Sequence, residues 1–227
     1  MNNSRTNKPS TILLLLAGTA SVATSSADAA IIINEIDYDQ PGSDTAEYIE
    51  LFNNGTGIIS LDGYFIDLVN GGNNTTYRSI DLSSFSIAPE NYFVICNDSS
   101  LVANCNYDFS NITGWIQNGP DAIALYDGTG LIDSLSYEGE LAPFTEGSLL
   151  TEADSNSIMV SISRLPNGLD SNDNGLDFHL GCTTPGSSNI SASGGCATPA
   201  VVPIPAAAWV FGSGLVGLLG ISRRKHS

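Results

Sequence analysis

Positive charge is what this 227-residue chain has least of. Of its seven lysines and arginines, Arg5 and Lys8 lie near the start and Arg223, Arg224 and Lys225 near the end. Only Arg78 and Arg164 fall between residues 31 and 200, against 23 acids, a net of −21 where the whole chain carries −17. Nucleic-acid binding rests on Lys and Arg displacing counterions from phosphates, so nucleic acid is not an expected partner. Divalent cations, or plain solubility in a salty medium, suit such a surface better. Helical periodicity is missing too: no window of a dozen residues in this region keeps apolar positions at 3.6 spacing. The absence of C-x-x-C removes zinc and thioredoxin-type redox chemistry. The absence of G-x-S-x-G leaves a Ser–His–Asp triad unsupported, and His179, flanked by Phe178 and Leu180, reads as a surface or strand-end histidine. Gly212-Ser213-Gly214-Leu215-Val216-Gly217 matches a dinucleotide fingerprint by letter. It lies in an apolar run with no βαβ context, where small residues serve helix approach instead.

Residues 1–30 have the three parts of a secretory signal. Arg5 and Lys8 supply the positive start, Ile12 to Ala17 open the apolar run, and Ala27-Asp28-Ala29 places small residues at the cleavage positions. The expected leader is residues 1–29, cut after Ala29. An exported chain with an even cysteine count suggests disulfides. The four are Cys96, Cys105, Cys182 and Cys196. Pairing sequence neighbours closes two short loops, although four cysteines allow three connectivities.

From Ile31 onward the chain becomes short alternating runs of strand length: IIINEIDY, EYIELFN, GYFIDLVN, YRSIDL, NYFVICND, DAIALYD, LIDSLSY and SIMVSISR. Between them stand turn residues, among them Asn53-Asn54-Gly55, Leu61-Asp62-Gly63, Asn70-Gly71-Gly72, Asn118-Gly119-Pro120 and Asp127-Gly128. Seven or eight such strands predict an all-β, immunoglobulin-like two-sheet sandwich over residues 30–189, with a small barrel as the alternative.

Several stretches resemble, in order, the signatures of a bacterial lamin-tail domain. They are INEIDYDQPGSDTAEYIELFN, LDGYFIDLVNG, WIQNGPDAIALYD with SLSYEG, and SISRLPNGLDSNDNGLDF with TTPGSSN. The resemblance runs from about residue 31 to 189. It implies an immunoglobulin-like sandwich that acts as an accessory or interaction module, without catalytic residues.

Residues 190–202 are small and read as a flexible linker. Pro203-Ile204-Pro205, the apolar AAAWVFGSGLVGLLGI and the basic Arg223-Arg224-Lys225 resemble a PEP-CTERM protein-sorting signal over residues 203–227. Ile204 stands where that family usually carries an acid. A helix from Pro205 to Ile221 measures about 25 Å, short for a bilayer core of about 30 Å and suited to a transient span. The basic cluster stays cytoplasmic by the positive-inside rule. The resemblance implies an inner-membrane intermediate and a sorting protease of the exosortase type.

Three groups of residues carry candidate chemistry. Asp170-Ser171-Asn172-Asp173-Asn174-Gly175 fits the first half of an EF-hand-type loop, with Asp170, Asn172, Asn174 and Asp177 as calcium ligands. Its twelfth position is Gly181 rather than a bidentate Glu, and a self-bonded Asn/Asp turn is the plainer reading. Glu35, Asp37, Asp39, Asp44, Glu47 and Glu50 crowd the first hairpin, where two carboxylates suit glycosidase-type acid–base work. Alternation puts Glu35 on the face of Ile31 and Ile33, and Glu50 with Tyr48 and Phe52. Acids within apolar runs need partners, so Arg164 is expected to pair with Glu47 or Glu50 as a clasp between the first and last strands. Asn-x-Ser/Thr sequons such as Asn54-Gly55-Thr56 carry little meaning if the producer is bacterial, as the resemblance of the tail implies.

The expected function is that of an exported, non-enzymatic module at the cell surface or in the extracellular matrix. Polysaccharide, protein or divalent cations are its expected ligands. The alternatives are an extracellular hydrolase using the hairpin carboxylates and a permanently anchored envelope protein.

Overall fold

The computed structural model describes residues 30–108 and 114–196. The expected leader (residues 1–29) and sorting tail, with Pro203, Pro205, Arg223, Arg224 and Lys225, lie outside the described residues. Among the described residues no helix is long and apolar enough to cross a membrane.

Among the described residues there are thirteen strands: β1 (Ile31–Asp37), β2 (Tyr48–Asn53), β3 (Ile59–Ser60), β4 (Phe65–Asn70), β5 (Thr75–Asp81), β6 (Ser86–Ile87), β7 (Tyr92–Cys96), β8 (Cys105–Asp108), β9 (Asp121–Asp127), β10 (Gly130–Tyr137), β11 (Ser161–Arg164), β12 (Phe178–Cys182) and β13 (Ile190–Ser191). A single helical turn, α1 (Asn174–Asp177), precedes β12, and a 3₁₀ turn (Ala192–Gly194) follows β13. Each of the eight alternating runs contains a strand. In SIMVSISR only Ser161–Arg164 pairs, and Ile158 and Met159 are left exposed.

The strands form a seven-stranded sheet, β13-β12-β11-β1-β2-β7-β8, and a four-stranded sheet, β10-β9-β4-β5, with a β3–β6 ribbon. All pairings are antiparallel except that of β7 with β8. The inner faces meet in one core. Ile33, Ile36, Ile49, Leu51, Ile95 and Ile162 come from the large sheet, and Ile66, Leu68, Ile80, Ile123, Leu125 and Leu135 from the small one. Burying each such side chain contributes about 1.5–3 kcal/mol. The two-residue period of strands explains why these positions alternate with polar ones. The result is an all-β two-sheet sandwich.

Two disulfides join sequence neighbours. Cys96–Cys105 ties β7 to β8, and Cys182–Cys196 ties β12 to the chain beyond the 3₁₀ turn. Closing loops this short contributes about 2–3 kcal/mol each in the chain-entropy account. The second bridge corrects the expected boundary at residue 189. β13, the 3₁₀ turn and Cys196 belong to the folded region, because pairing with β12 and the bridge hold them there. Disulfides also point to an extracellular or periplasmic setting, where thiols oxidise.

Candidate functional site

The site begins with one irregularity in β1. Ile33 pairs with Leu51 and Glu35 with Glu50, so Asn34 is an extra residue, a β-bulge. A bulge shifts the parity of everything after it. Ile31 and Ile33 face the core before it, Ile36 and Tyr38 after it. Glu35 therefore lands on the outer face, opposite Glu50 of β2. This corrects the expectation that Glu35 shares a face with Ile31 and Ile33. Glu50 does lie with Tyr48 and Phe52.

On the inner side, Ile33 lies beyond the stretch of β1 that β11 pairs, and side chains take up its N–H and C=O. Asp133 Oδ2 accepts from Ile33 N at 2.6 Å, and Arg164 Nε donates to Ile33 O at 2.8 Å. The same arginine donates from Nη2 to Asp133 Oδ1 at 2.9 Å, and from Nη1 to Asp177 Oδ2 at 2.9 Å, Asp170 Oδ1 at 3.2 Å and Leu169 O at 3.0 Å. Its guanidinium lies 4.4 Å from the Phe178 ring centroid. Arg164 and Asp133 are 0 % and 1 % exposed, so this is a fully buried clasp. It joins β10 of the small sheet to β1 and β11 of the large one.

The expected Arg164–Glu47/Glu50 pair does not form, for reasons of face and distance along the strand. Arg164 points inward with Ile162, two residues before it, while Glu50 points outward. Glu47 stands four residues along the chain from Leu51, the partner of Ile33, and accepts from Trp115 N (2.9 Å) and Ile116 N (3.3 Å). Its partners come from elsewhere: Asp133 from the run LIDSLSY, and Asp170 and Asp177 from the candidate calcium loop.

That loop is organised by Arg164. Asp177 also accepts from Ser171 N (2.8 Å) and Ser171 Oγ (2.6 Å), while Asp170 accepts from Asn172 N (3.1 Å). Asn172 takes the left-handed conformation, φ 56°. Asn174 is wholly buried; its Oδ1 accepts from Glu146 N (3.2 Å) and Ser136 N (3.4 Å), and its Nδ2 donates to Ser134 O (2.9 Å). Asp173 caps α1 by accepting from Leu176 N. The proposed ligands Asp170, Asn174 and Asp177 are thus committed to protein partners. Carboxylate oxygens of Asp133, Glu146 and Asp170 do come within 4.8 Å of one another. The guanidinium touching Asp133 and Asp170 supplies positive charge there. Burial raises Asp133 to about 6 against the pull of Arg164, and burial with the Asp133 charge raises Glu146 to about 7.

On the outer side, Thr183 to Asn189 cross the large sheet as a strap. Glu35 accepts from Thr184 N (2.9 Å) and Thr184 Oγ1 (2.8 Å), and also from Tyr48 Oη and Ser161 Oγ, both at 2.6 Å. Glu50 accepts from Gly186 N (2.6 Å) and Asn34 Nδ2 (2.7 Å). Asn189 Nδ2 donates to Asn34 O and Arg164 O, both at 3.0 Å, which fixes the far end. Gly186 has φ +76°, and a Cβ there would run into Asn104, so the close approach to Glu50 requires glycine. Burial raises the pKa of Glu35 and, helped by the Glu35 charge, takes Glu50 to about 8. Burial likewise takes Glu47 to about 8 and Asp154, which accepts from Tyr38 N and Asp39 N, to about 7. Asp37, held by Gln40, is raised by burial and then by Asp154. The two glutamates are sealed under the strap with no exposed surface. They accept the fold's own donors, as a structural role requires.

His179 sits on β12. Its Nδ1 is 3.1 Å from Glu152 Oε1 and its Nε2 3.2 Å from Leu176 O, while Glu152 Oε2 accepts from Leu180 N. This pair borders a groove of about 530 Å³ at the β12–β13 edge of the large sheet.

The lamin tail domain family model matches residues 24–139. No curated protein matches the chain. Among solved structures, a DUF4876 family protein from Bacteroides thetaiotaomicron VPI-5482 is similar at 13% sequence identity and a TM-score of 0.48, over 76% of this chain and 75% of that one. The family match takes in the bulged first hairpin and runs on through β10, just over half of the sequence. On that match, the chain belongs to the lamin tail domain family.

Proposed function

We propose that this protein is an exported, non-enzymatic β-sandwich module of immunoglobulin-like type that works by adhesion or binding at the cell surface or in the extracellular matrix. The observation that carries this reading is the state of the first-hairpin carboxylates. Glu35, Glu47 and Glu50 are buried and accept hydrogen bonds from the fold itself, so the residues best placed for acid–base work act as structural acceptors. Family membership agrees with an interaction module, and the two disulfides agree with an oxidising compartment. The leader at residues 1–29 takes the chain out of the cytoplasm. The tail at residues 203–227 holds it in the inner membrane until a sorting protease of the exosortase type cuts near Pro203–Pro205. Matrix polysaccharide or protein is the expected partner of the released module, and its acidity excludes nucleic acid. No cofactor is needed, and calcium has no part in the Asp170–Asp177 loop.

Intact mass and fractionation from the producing cell test the reading. A species lacking both ends and found outside the inner membrane is the expected result. A species that keeps Arg223-Arg224-Lys225 and stays in the inner membrane makes it a tethered envelope protein instead. Hydrolysis of glycans by the purified domain, abolished by Glu35→Gln or Glu50→Gln with the fold retained, overturns the non-enzymatic part.

A further inference from the structure

An asparagine followed by glycine can react with its own backbone. The glycine nitrogen attacks the asparagine Cγ, because a residue without Cβ leaves the approach open. The chain has five such pairs, Asn54-Gly55, Asn70-Gly71, Asn118-Gly119, Asn167-Gly168 and Asn174-Gly175, all among the described residues. As sequence the five are alike. The fold makes them differ.

In four of the pairs the attacking nitrogen is already a hydrogen-bond donor. Gly55 N donates to Asn53 Oδ1 at 2.9 Å, and Gly168 N to Asn34 Oδ1 at 3.1 Å. Gly71 N donates to Asp121 Oδ1 at 3.0 Å and Pro120 O at 3.1 Å, and Gly175 N to Ser148 O at 2.9 Å. Three of these pairs also have the asparagine amide tied down: Asn70 Nδ2 on Gln117 Oε1, Asn167 Nδ2 on Tyr92 Oη and Asn174 Nδ2 on Ser134 O. Asn118-Gly119, in the loop before β9, is the exception. Among the described residues Gly119 N–H meets no acceptor, and the exposed Asn118 amide has no hydrogen-bond partner. Glycine is nonetheless fixed there, since a Cβ at 119 would come 2.5 Å from Glu138 Cβ and 2.6 Å from Tyr137 O. Packing therefore keeps the residue that makes the neighbouring amide labile.

We propose that Asn118 is a self-modification site, converting to aspartate and isoaspartate as the protein ages. As the bond from Gly119 N to Cγ forms, the amide proton passes to water, ammonia leaves from Cγ and a succinimide ring closes. Water then opens the ring, at the side-chain carbonyl to give an aspartate or at the main-chain carbonyl to give an isoaspartate. Only water is consumed, and no redox partner is required. The position gives the change a structural consequence. Gln117 O accepts from Tyr137 Oη of β10 at 2.8 Å, Gln117 N donates to Tyr77 Oη of β5 at 3.0 Å, and Gln117 Oε1 accepts from Asn70 Nδ2 of β4 at 2.8 Å. An isoaspartate adds one main-chain carbon directly after these three bonds, and either product adds negative charge to a region that already carries −21. The loop is loosened where it joins three strands of the small sheet.

Peptide mass spectrometry of the full chain, held folded in mild detergent at mildly alkaline pH, tests this. Asn118 should convert first, roughly fivefold or more faster than any other pair, since each of those must first break a hydrogen bond. In denaturant all five should convert at similar rates, which separates the contribution of the fold from that of the sequence. Asn118→Gln should stop conversion at this position and keep the wild-type melting curve, because the amide it replaces makes no hydrogen bond. Aged wild type should show faster amide exchange at Gln117 than fresh protein, and aged Asn118→Gln should not. Asn54 converting as fast as Asn118 in the folded chain overturns the inference, because the bond at Gly55 N then gives no protection. So does an Asn118 amide that survives in the folded chain and is lost in denaturant, or a lower melting temperature for Asn118→Gln. Either marks a contact that holds this side chain. Unchanged exchange at Gln117 in fully converted protein overturns the structural consequence.

Discussion

The two faces of β1 bury charge in opposite ways. Inward, Asp133, Asp170 and Asp177 share one guanidinium, and every polar contact is charge-assisted. Outward, Glu35 and Glu50 oppose each other with only neutral donors around them: hydroxyls, backbone N–H groups and the Asn34 amide. The bulge at Asn34 turns Glu35 toward the strap, and Ile33, just before it, gives its N and O to the clasp. A chain with two arginines between residues 31 and 200 has one to place here. The inner face receives it, where three acids meet between two sheets, and the outer face relies on backbone and hydroxyl donors. Charge pairing there fixes how the sheets stack, whereas neutral donors fix how one strap lies on one sheet.

Removing the cation should produce the largest effect. Arg164→Ala leaves Asp133 buried and unpaired and strips Ile33 O of its donor, a loss of about 3–5 kcal/mol. For a domain of this size that lowers the melting temperature by roughly 10 °C or more. Thermal unfolding followed by circular dichroism checks it, and a shift under about 3 °C would show that the clasp is not the main tie between the sheets.

The disulfides come next, and they sharpen the contrast because both attach to the large sheet. Cys182→Ser/Cys196→Ser frees the chain beyond the strap and should cost about 2–3 kcal/mol, and Cys96→Ser/Cys105→Ser about as much. The two differ in where they act. The first should raise amide exchange most at Thr184, since Cys182 directly precedes the strap, while the second reaches the strap through Asn104, whose Nδ2 donates to Pro185 O, and should act most at Gly186.

How much of this contrast was legible in the sequence depends on which physical rule governs each residue. Strand positions were legible because apolar alternation reports the pleat directly, and all eight runs hold strands. β8 (CNYD) and β12 (FHLGC) were not, since short polar or mixed strands at the sheet margins carry little periodicity. Arg164 stood out through scarcity alone, since so few cations were available to the buried acids. Its partners did not, because a single extra residue at Asn34 inverts the parity on which the assignment of faces relied, and nothing local in INEID announces a bulge. The TTPGSSN stretch was visible as a family-like signature, but its role as a lid over Glu35 and Glu50 depends on contacts some 136 to 149 residues apart in sequence.

A pH series separates the two faces further. Glu50 and Glu47 at about 8, Asp154 and Glu146 at about 7 and Asp133 at about 6 all lie above their ordinary values of 4.5 for Glu and 3.8 for Asp. The folded state therefore holds more protons than the unfolded chain across this range, so unfolding free energy falls as pH rises. Stability from these groups is fully present below about pH 4 and is lost progressively toward pH 8. The melting temperature should drop by roughly 5–10 °C between pH 5 and pH 8.5. Glu50→Gln should flatten the upper part of that curve. It should be less stable than wild type at pH 5 by about 1 kcal/mol, because its amide nitrogen must face one of the two donors at Gly186 N and Asn34 Nδ2. At pH 8.5 it should equal or exceed wild type. A wild-type melting temperature that rises across this interval would mean that the outer glutamates are ionised and satisfied at neutral pH.

Calcium should have the smallest effect. A cation entering the Asp170–Asp177 loop must compete with the Arg164 guanidinium for Asp170 and Asp177 and with backbone N–H groups for Asn174, and the twelfth position offers Gly181 instead of a bidentate glutamate. Millimolar calcium should then move the melting temperature by less than about 1 °C and give no heat on titration. The informative protein is Arg164→Met, which takes away the cation and leaves Asp133, Asp170 and Glu146 with oxygens close together. If acidic repulsion is what the arginine relieves, calcium should restore part of the lost stability in Arg164→Met alone. An equal response in wild type would show that the loop holds the ion beside the guanidinium, and that two cations rather than one balance the inner face.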